Sequence, residues 1–119
     1  ISKVARESKG RIITIFPQGT TGATKDRLPF KAGIFKTLEL NHGAILLPVT
    51  IRYKEESQIV WRHDQMLIDN LKAVSAQKSI SVKVTLHEPI SIAHFADNSI
   101  YELCQAAEEK VFAHLQGNY

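Results

Sequence analysis

The sequence predicts an α/β protein with a mostly parallel or mixed sheet flanked by helices. This prediction depends on three segments in order: a β-branched run at residues 11–16, a helical pattern at residues 31–40, and the run "AILLPVTIRY" at residues 44–53. Strand, helix and strand in this order form a βαβ unit. The nearly continuous apolarity of the second run is typical of a strand covered on both faces.

Glycine, asparagine and proline delimit the first elements. Residues 1–9 have the pattern of a helix that stops at Gly10. Residues 31–40 carry apolar side chains at helical spacing and are followed by "NHG", which terminates helices. Pro48 lies inside the second strand and has no N–H, so it predicts a bulge or an unpaired position there.

The second half of the chain predicts further strands and helices. Residues 59–61 are expected to form a short strand, and residues 66–74 a helix with Met66, Leu67, Leu71 and Val74 facing inward. The segment "SISVKVTLH" alternates, with Ile80, Val82, Val84 and Leu86 on one side, which predicts a half-exposed strand near a sheet edge. The last helix has a capping box of Ser99 and Glu102 and a long apolar stripe that includes Cys104.

Length and composition predict a single partial domain covering residues 1–119. A chain of 119 residues, 44% of them hydrophobic, is long enough to bury one core. It begins with Ile1, and its one methionine is Met66, so we expect a piece of a longer protein. No apolar run reaches the roughly 18 residues that a membrane span requires.

Charge and cysteine content exclude few functions. The net charge of +3 permits weak attraction to anionic lipid surfaces or to nucleic acid and does not choose between them. Cys104 is the one cysteine, so the chain has no internal disulfide, and a reducing compartment is expected. The five histidines lack the H-x-x-x-H and H-E-x-x-H spacings, so we predict no metal site and no cofactor.

The turn after the first strand has the composition of an anion-binding loop. It combines Gly19 with threonine hydroxyls and with the cations Lys25, Arg27 and Lys31. Backbone N–H groups near glycine and the start of the following helix form concavities that bind phosphate. The same composition is also typical of an ordinary solvent-facing turn.

The segment "FPQGTTGATKDRLPFKAG", followed by "GAILLPVTI", resembles the third and fourth motifs of the glycerophospholipid acyltransferase family, of the 1-acyl-glycerol-3-phosphate acyltransferase type. The family pattern is Phe-Pro-Glu-Gly-Thr-Arg-Ser, then Leu-Pro-Phe-Lys-x-Gly, then a Pro-Val strand. The matching residues are Phe16, Pro17, Gly19, Thr20, Leu28, Pro29, Phe30, Lys31, Gly33, Pro48 and Val49. Further on, "HEPISI" resembles the Gly-Glu-Pro-Ile strand of such domains.

The resemblance implies that the chain is the C-terminal part of an acyltransferase domain. The full-length protein would transfer an acyl group from acyl-CoA or acyl-carrier protein to the hydroxyl of a lysophospholipid, in phospholipid biosynthesis at the cytoplasmic face of a membrane. No nucleic acid partner is expected. The residues implied to bind the acceptor are Phe16, Pro17, Gln18, Gly19, Thr20, Thr21, Lys25, Arg27, Lys31 and Gly33.

The chain departs from the family pattern at two positions of the third motif. Gln18 stands where the family has Glu, and Thr21 stands where it has the Arg that contacts the acceptor phosphate. A hydroxyl does not replace a bidentate guanidinium. Either Lys25 or Arg27 takes over that contact, or the acceptor has another head group.

The catalytic motif of the family is missing from this chain. In the family, the His of a His-x-x-x-x-Asp motif removes the hydroxyl proton and the Asp orients it. None of the five histidines has Asp at that offset, so we expect the isolated chain to be inactive and to contain no catalytic residue. Two alternatives remain: a non-catalytic module that binds phosphate or nucleic acid, and a degenerate homologue of the family.

Overall fold

The computed structural model describes residues 10, 12–22, 27–36, 38, 43–62, 64–95 and 100–115. This part of the chain contains helices and short strands in a mixed α/β arrangement, which confirms the predicted class. The elements are α1 (Ala32–Phe35), β1 (Ile45–Leu46), β2 (Val49–Tyr53), α2 (Glu56–Ile59), α3 (Leu67–Ser75), β3 (Val82–Leu86), β4 (Ile90–Ser91), a 3-10 helix (Ile92–Phe95) and α4 (Ile100–Ala113).

The described strands form two antiparallel pairs. β1 pairs with β4, and β2 pairs with β3 in a register that places Val49 opposite Leu86 and Tyr53 opposite Val82. The prediction of parallel pairing and of a βαβ unit is therefore wrong for this part of the chain. The connection from Tyr53 to Val82 leaves and re-enters the sheet at the same end, and this geometry makes the two strands antiparallel.

The first predicted strand is also absent from the described segment. Residues 12–16 have no strand partner there, and Ile12 and Phe16 are largely exposed. The prediction of a discontinuity at Pro48 is confirmed, because the expected strand at residues 44–53 is split into β1 and β2, which lie in different sheets. A proline has no N–H to donate to a ladder, so the pairing changes partner at this residue.

The core lies against the apolar stripe of α4. It contains Leu103, Cys104 and Ala107 of this helix, with Phe35 from α1 and the two isoleucines that begin β4 and the 3-10 helix. All of these side chains are less than 9% exposed. The predicted C-terminal helix and the buried position of Cys104 are confirmed, whereas Ser99 of the capping box lies outside the described residues.

One face of the strands is apolar and exposed. From β1 through β2, the odd-numbered side chains point outward and the even-numbered ones point toward α4. We call the outward side the open face; its members are 36% to 70% exposed and comprise Ile45, Leu47, Val49, Ile51, Val82, Val84 and Leu86. The expectation that the second strand is covered on both faces is therefore wrong in this structure. The expectation of a half-exposed β3 is also wrong, because four of its five residues are exposed, including its apolar side.

Helix α3 is rotated relative to the prediction. Its buried residue is Asn70, whose side-chain amide donates to the carbonyl of Ile59 at 3.2 Å. Met66, Leu67 and Leu71, which were expected to face inward, are exposed. The short strand expected at residues 59–61 is also wrong, because Ile59 ends α2.

Other predictions fall outside the described residues. These are the helix end at residues 1–9, the helix terminator at residues 41–42, and any structure of Lys25. Gly10 itself has a φ of +75°, in the left-handed region that glycine adopts readily. In the described part of the chain, no helix combines the length and apolarity that crossing a bilayer demands.

The contrast between core and open face predicts a difference in stability. Leu103→Ala should lower the free energy of unfolding by about 2–5 kcal/mol, because it leaves a cavity beneath α4. Ile51→Thr, on the open face and still β-branched, should change it by about 0.5 kcal/mol or less. Urea denaturation of both variants measures the difference, and equal losses would show that the open face is covered in solution.

Candidate functional site

The candidate site begins at the glycine-containing turn. The N–H of Gly19 donates to the carbonyl of Phe16 at 3.0 Å, which closes a β-turn with Pro17 at its second position. Gly19 has a φ of +70°, a conformation that glycine adopts without the steric cost of a Cβ. We call residues 16–31 the glycine loop. Since the Gly19 N–H is used within the turn, it is not a donor for a ligand.

Gly19 instead provides room for a cation. A Cβ placed on Gly19 would lie 2.8 Å from Nζ of Lys31 and 3.3 Å from its Cδ and Cε, so the lysine side chain lies directly over the glycine. Gly19 and Lys31 are both exposed, as are Thr20 and Thr21. The turn therefore presents an ammonium group and two hydroxyls at the surface.

The two ends of the glycine loop are held together by hydrogen bonds. The N–H of Lys31 donates to the carbonyl of Pro17 at 2.9 Å. The side-chain Nε2 of Gln18 donates to the carbonyl of Leu28 at 3.1 Å. These bonds bring Lys31, twelve residues away in sequence, to Gly19 and fix the approach of its ammonium group.

The Gln18 contact requires an amide at this position, where the acyltransferase pattern has a carboxylate. The amide of Gln18 acts as a donor toward a backbone carbonyl. A carboxylate accepts hydrogen bonds and cannot donate them, so Glu at this position would face the Leu28 carbonyl with a second acceptor. In this loop conformation, glutamine closes the loop and glutamate would oppose closure.

The far end of the glycine loop is anchored on α4. The N–H of Phe30 donates to Oε2 of Glu108 at 2.8 Å, and Sγ of Cys104 donates to the Phe30 carbonyl at 3.6 Å. The ring of Phe30 lies 5.6 Å from that of Phe112. Sequence reasoning missed Glu108 and Phe112 as supports of the loop, because their separation from it, 78 residues for Glu108, leaves no local pattern.

Arg27 is also directed at α4. Its guanidinium carbon lies 4.7 Å from the centroid of the Phe112 ring, a cation–π contact. Arg27 has a φ of +30°, which is uncommon for a residue with a Cβ. Arg27 and Lys25 are the two cations proposed to replace the arginine of the acyltransferase pattern. Arg27 packs against α4, and Lys25 lies outside the described residues.

The predicted site residues fall into three groups. Gln18, Gly19 and Lys31 are brought together by the loop contacts described above. Thr20 and Thr21 are exposed beside them, and Oγ1 of Thr20 donates weakly to the Thr21 carbonyl at 3.4 Å. The remaining described residues have separate positions: Phe16 is 75% exposed, Pro17 is half-buried at the turn, Arg27 contacts Phe112, and Gly33 is exposed in α1.

The thiol near the loop is not activated. Burial raises the pKa of Cys104 above its ordinary value, and the negative charge of Glu108 raises it further. The nucleophilic form of cysteine is the thiolate, so a raised pKa favours a structural role. Within the described residues, no three His, Cys, Asp or Glu side chains are grouped to hold a metal ion.

No protein-family model, no curated protein and no solved structure matches the chain. The acyltransferase resemblance therefore stays a prediction, based on the residues quoted from the sequence.

The loop closure predicts the effect of replacing Gln18 by the glutamate of the acyltransferase pattern. Gln18→Glu should lower the free energy of unfolding by about 1–2 kcal/mol, because it removes a donor and places charge against a carbonyl. Gln18→Leu removes the donor without adding charge and should cost less. Thermal unfolding at neutral pH compares the two variants, and a Glu variant as stable as the parent would refute the donor role of Gln18.

Proposed function

We propose that the chain is the C-terminal part of a glycerophospholipid acyltransferase domain and that its glycine loop binds the phosphate of a lysophospholipid acceptor. The observation that carries the proposal is the position of the Lys31 ammonium over Gly19 on an exposed turn. A positive side chain with neighbouring hydroxyls is the chemistry that recognises a phosphate group.

The structure changes which atoms are proposed to make the contact. Phosphate loops commonly use backbone N–H groups and a helix start, but the Gly19 N–H is already bonded to Phe16 and α1 has four residues. Lys31 is therefore the main phosphate contact, with the exposed hydroxyl of Thr21 as a further donor. Gly19 contributes by leaving space for the lysine.

The acceptor loop is one part of the proposed reaction. The general base and its orienting Asp would come from a His-x-x-x-x-Asp motif outside these 119 residues, since no histidine here has that spacing. The acyl donor, acyl-CoA or acyl-carrier protein, would be bound by the whole protein. A lysophospholipid lies in a membrane, so this proposal places the whole protein at the cytoplasmic face of one.

Binding of a soluble lysophosphatidate with a short acyl chain tests the loop. We expect NMR shift changes at residues 19–21 and 31, with Lys31→Met weakening the affinity roughly tenfold through loss of one charged contact. Gly19→Val should have a similar effect, since its side chain displaces the ammonium and the positive φ becomes strained.

Lys78→Met is the matched control, because it removes the same charge from another exposed position and should leave the affinity unchanged. Equal loss of affinity in Lys78→Met and Lys31→Met would mean nonspecific electrostatic attraction and would refute the proposal. Steeply salt-dependent binding to RNA or DNA, unaffected by Gly19→Val, would favour the alternative of a nucleic-acid-binding module.

Acyl transfer is tested separately. The 119-residue chain should release no free thiol from acyl-CoA in the presence of lysophosphatidate above the uncatalysed rate, because it lacks the catalytic motif. A thiol-reactive dye follows CoA release. Turnover by this chain alone would contradict the assignment of the catalytic residues to another part of the protein.

A further inference from the structure

A second polar cluster, away from the glycine loop, joins the β2–β3 sheet to the end of α4. Its centre is Thr50 in β2, which is 1% exposed. Oγ1 of Thr50 donates to the carbonyl of Val111 at 2.9 Å and lies 2.7 Å from Nε2 of His87. The cluster thus connects a strand, the residue after β3, and the last turn of α4.

These contacts fix the tautomer of His87. The Thr50 hydroxyl has one proton, and it is given to Val111. The short contact with His87 is then a hydrogen bond only if Nε2 carries the proton and Thr50 accepts it. Neutral His87 therefore has its free lone pair on Nδ1, and acid adds the second proton there without breaking the bond to Thr50.

The surroundings of His87 are unfavourable for that second proton. The ring of His114 lies 4.6 Å from that of His87, centroid to centroid, at 64°. Nζ of Lys110 is nearby and pairs with Glu88 at a long 3.9 Å. Burial lowers the pKa of His87 below the ordinary value of 6.5, and the charges of His114 and Lys110 lower it further.

Charged groups from each neighbouring element face this cluster. From β2, Arg52 donates to the carbonyl of His114 at 3.3 Å. Glu88 follows β3, and Glu109 and Lys110 belong to α4. Glu88, Glu109 and Lys110 line, together with His87 and His114, an open cavity of about 540 Å³ between the sheet and the helix. The cavity gives the helix end room to separate from the sheet.

We propose that His87, packed against the ring of His114, is a proton-sensitive joint, which holds the end of α4 on the β2–β3 sheet when its own ring is neutral and loosens it when that ring is protonated. A positive His87 ring would lie against the His114 ring and near the ammonium group of Lys110, and these surroundings repel it. The middle of α4 stays in place because Leu103, Cys104 and Ala107 are buried in the core.

The direction of the pH effect follows from linkage. A histidine whose pKa is lower in the folded state binds fewer protons there than in the unfolded state. Its contribution to stability is complete above pH 6.5, the ordinary value, and is lost progressively as the pH falls below it. Acid therefore opens the joint, and neutral pH closes it.

Amide hydrogen exchange of the chain at pH 7.5 and pH 5.5 tests the joint. After correction for intrinsic rates, we expect the protection factors of residues 111–115 to fall on acidification, because the stabilisation by neutral His87 is lost below pH 6.5. Protection at residues 103–107 should fall much less. His87→Gln, which keeps an amide donor for Thr50, and His114→Gln should each reduce the pH dependence.

Glu88→Gln is the control, because it changes the charge of the same cavity without removing a titrating ring. It should keep the acid sensitivity of the parent or increase it slightly. NMR titration of the His87 ring in the parent chain provides a readout that needs no variant, and a His87 pKa below 6.5 is expected. A His87 pKa at or above 6.5, or equal acid sensitivity in the parent and both histidine variants, would overturn the proposal.

Discussion

The burial of the apolar stripe of α4 is the constraint on which the rest of the structure depends. Leu103, Cys104 and Ala107 face the core, and α1, the 3-10 helix and β2 each contact the same helix. The glycine loop is hydrogen-bonded to the carboxylate of Glu108, and the β2–β3 sheet is hydrogen-bonded to the carbonyl of Val111. Loop and sheet attach to α4 within one helical turn of each other. The position of the candidate site on the fold is therefore set by residues about eighty positions away from it in the sequence.

The β2–β3 sheet has an unusual polarity. The side that packs on α4 carries Thr50 and Arg52, whereas the open face carries only aliphatic side chains and Tyr53. In ordinary antiparallel sheets the apolar side is the packed one. The polar side is tolerated here because the Thr50 hydroxyl is satisfied in both directions, with Val111 as acceptor and His87 as donor. A buried hydroxyl without both partners would destabilise the contact between sheet and helix.

The parts of the fold that could be predicted from the sequence are those decided by local pattern. The 14-residue α4 has a long apolar repeat, and Pro48 interrupts a strand because it lacks an N–H. Pairing of β2 with β3 could not be predicted, since it depends on where the chain returns after α2 and α3. The orientation of α3 was missed for a similar reason. Asn70 is buried because its side chain donates to the Ile59 carbonyl, and the helical pattern of residues 66–74 gives no sign of this partner.

In the glycine loop, the structure gives Gly19 and Gln18 roles that the sequence did not predict. Sequence reasoning assigned Gly19 the role of exposing its N–H to a ligand, but the turn uses that N–H, and the absent Cβ instead makes room for Lys31. The amide of Gln18 donates to the Leu28 carbonyl, which a carboxylate cannot do. A closed loop with a lysine over its glycine supplies positive charge by itself. In the proposed function, Lys31 therefore supplies the cation at a site where Thr21 stands at the arginine position of the acyltransferase pattern.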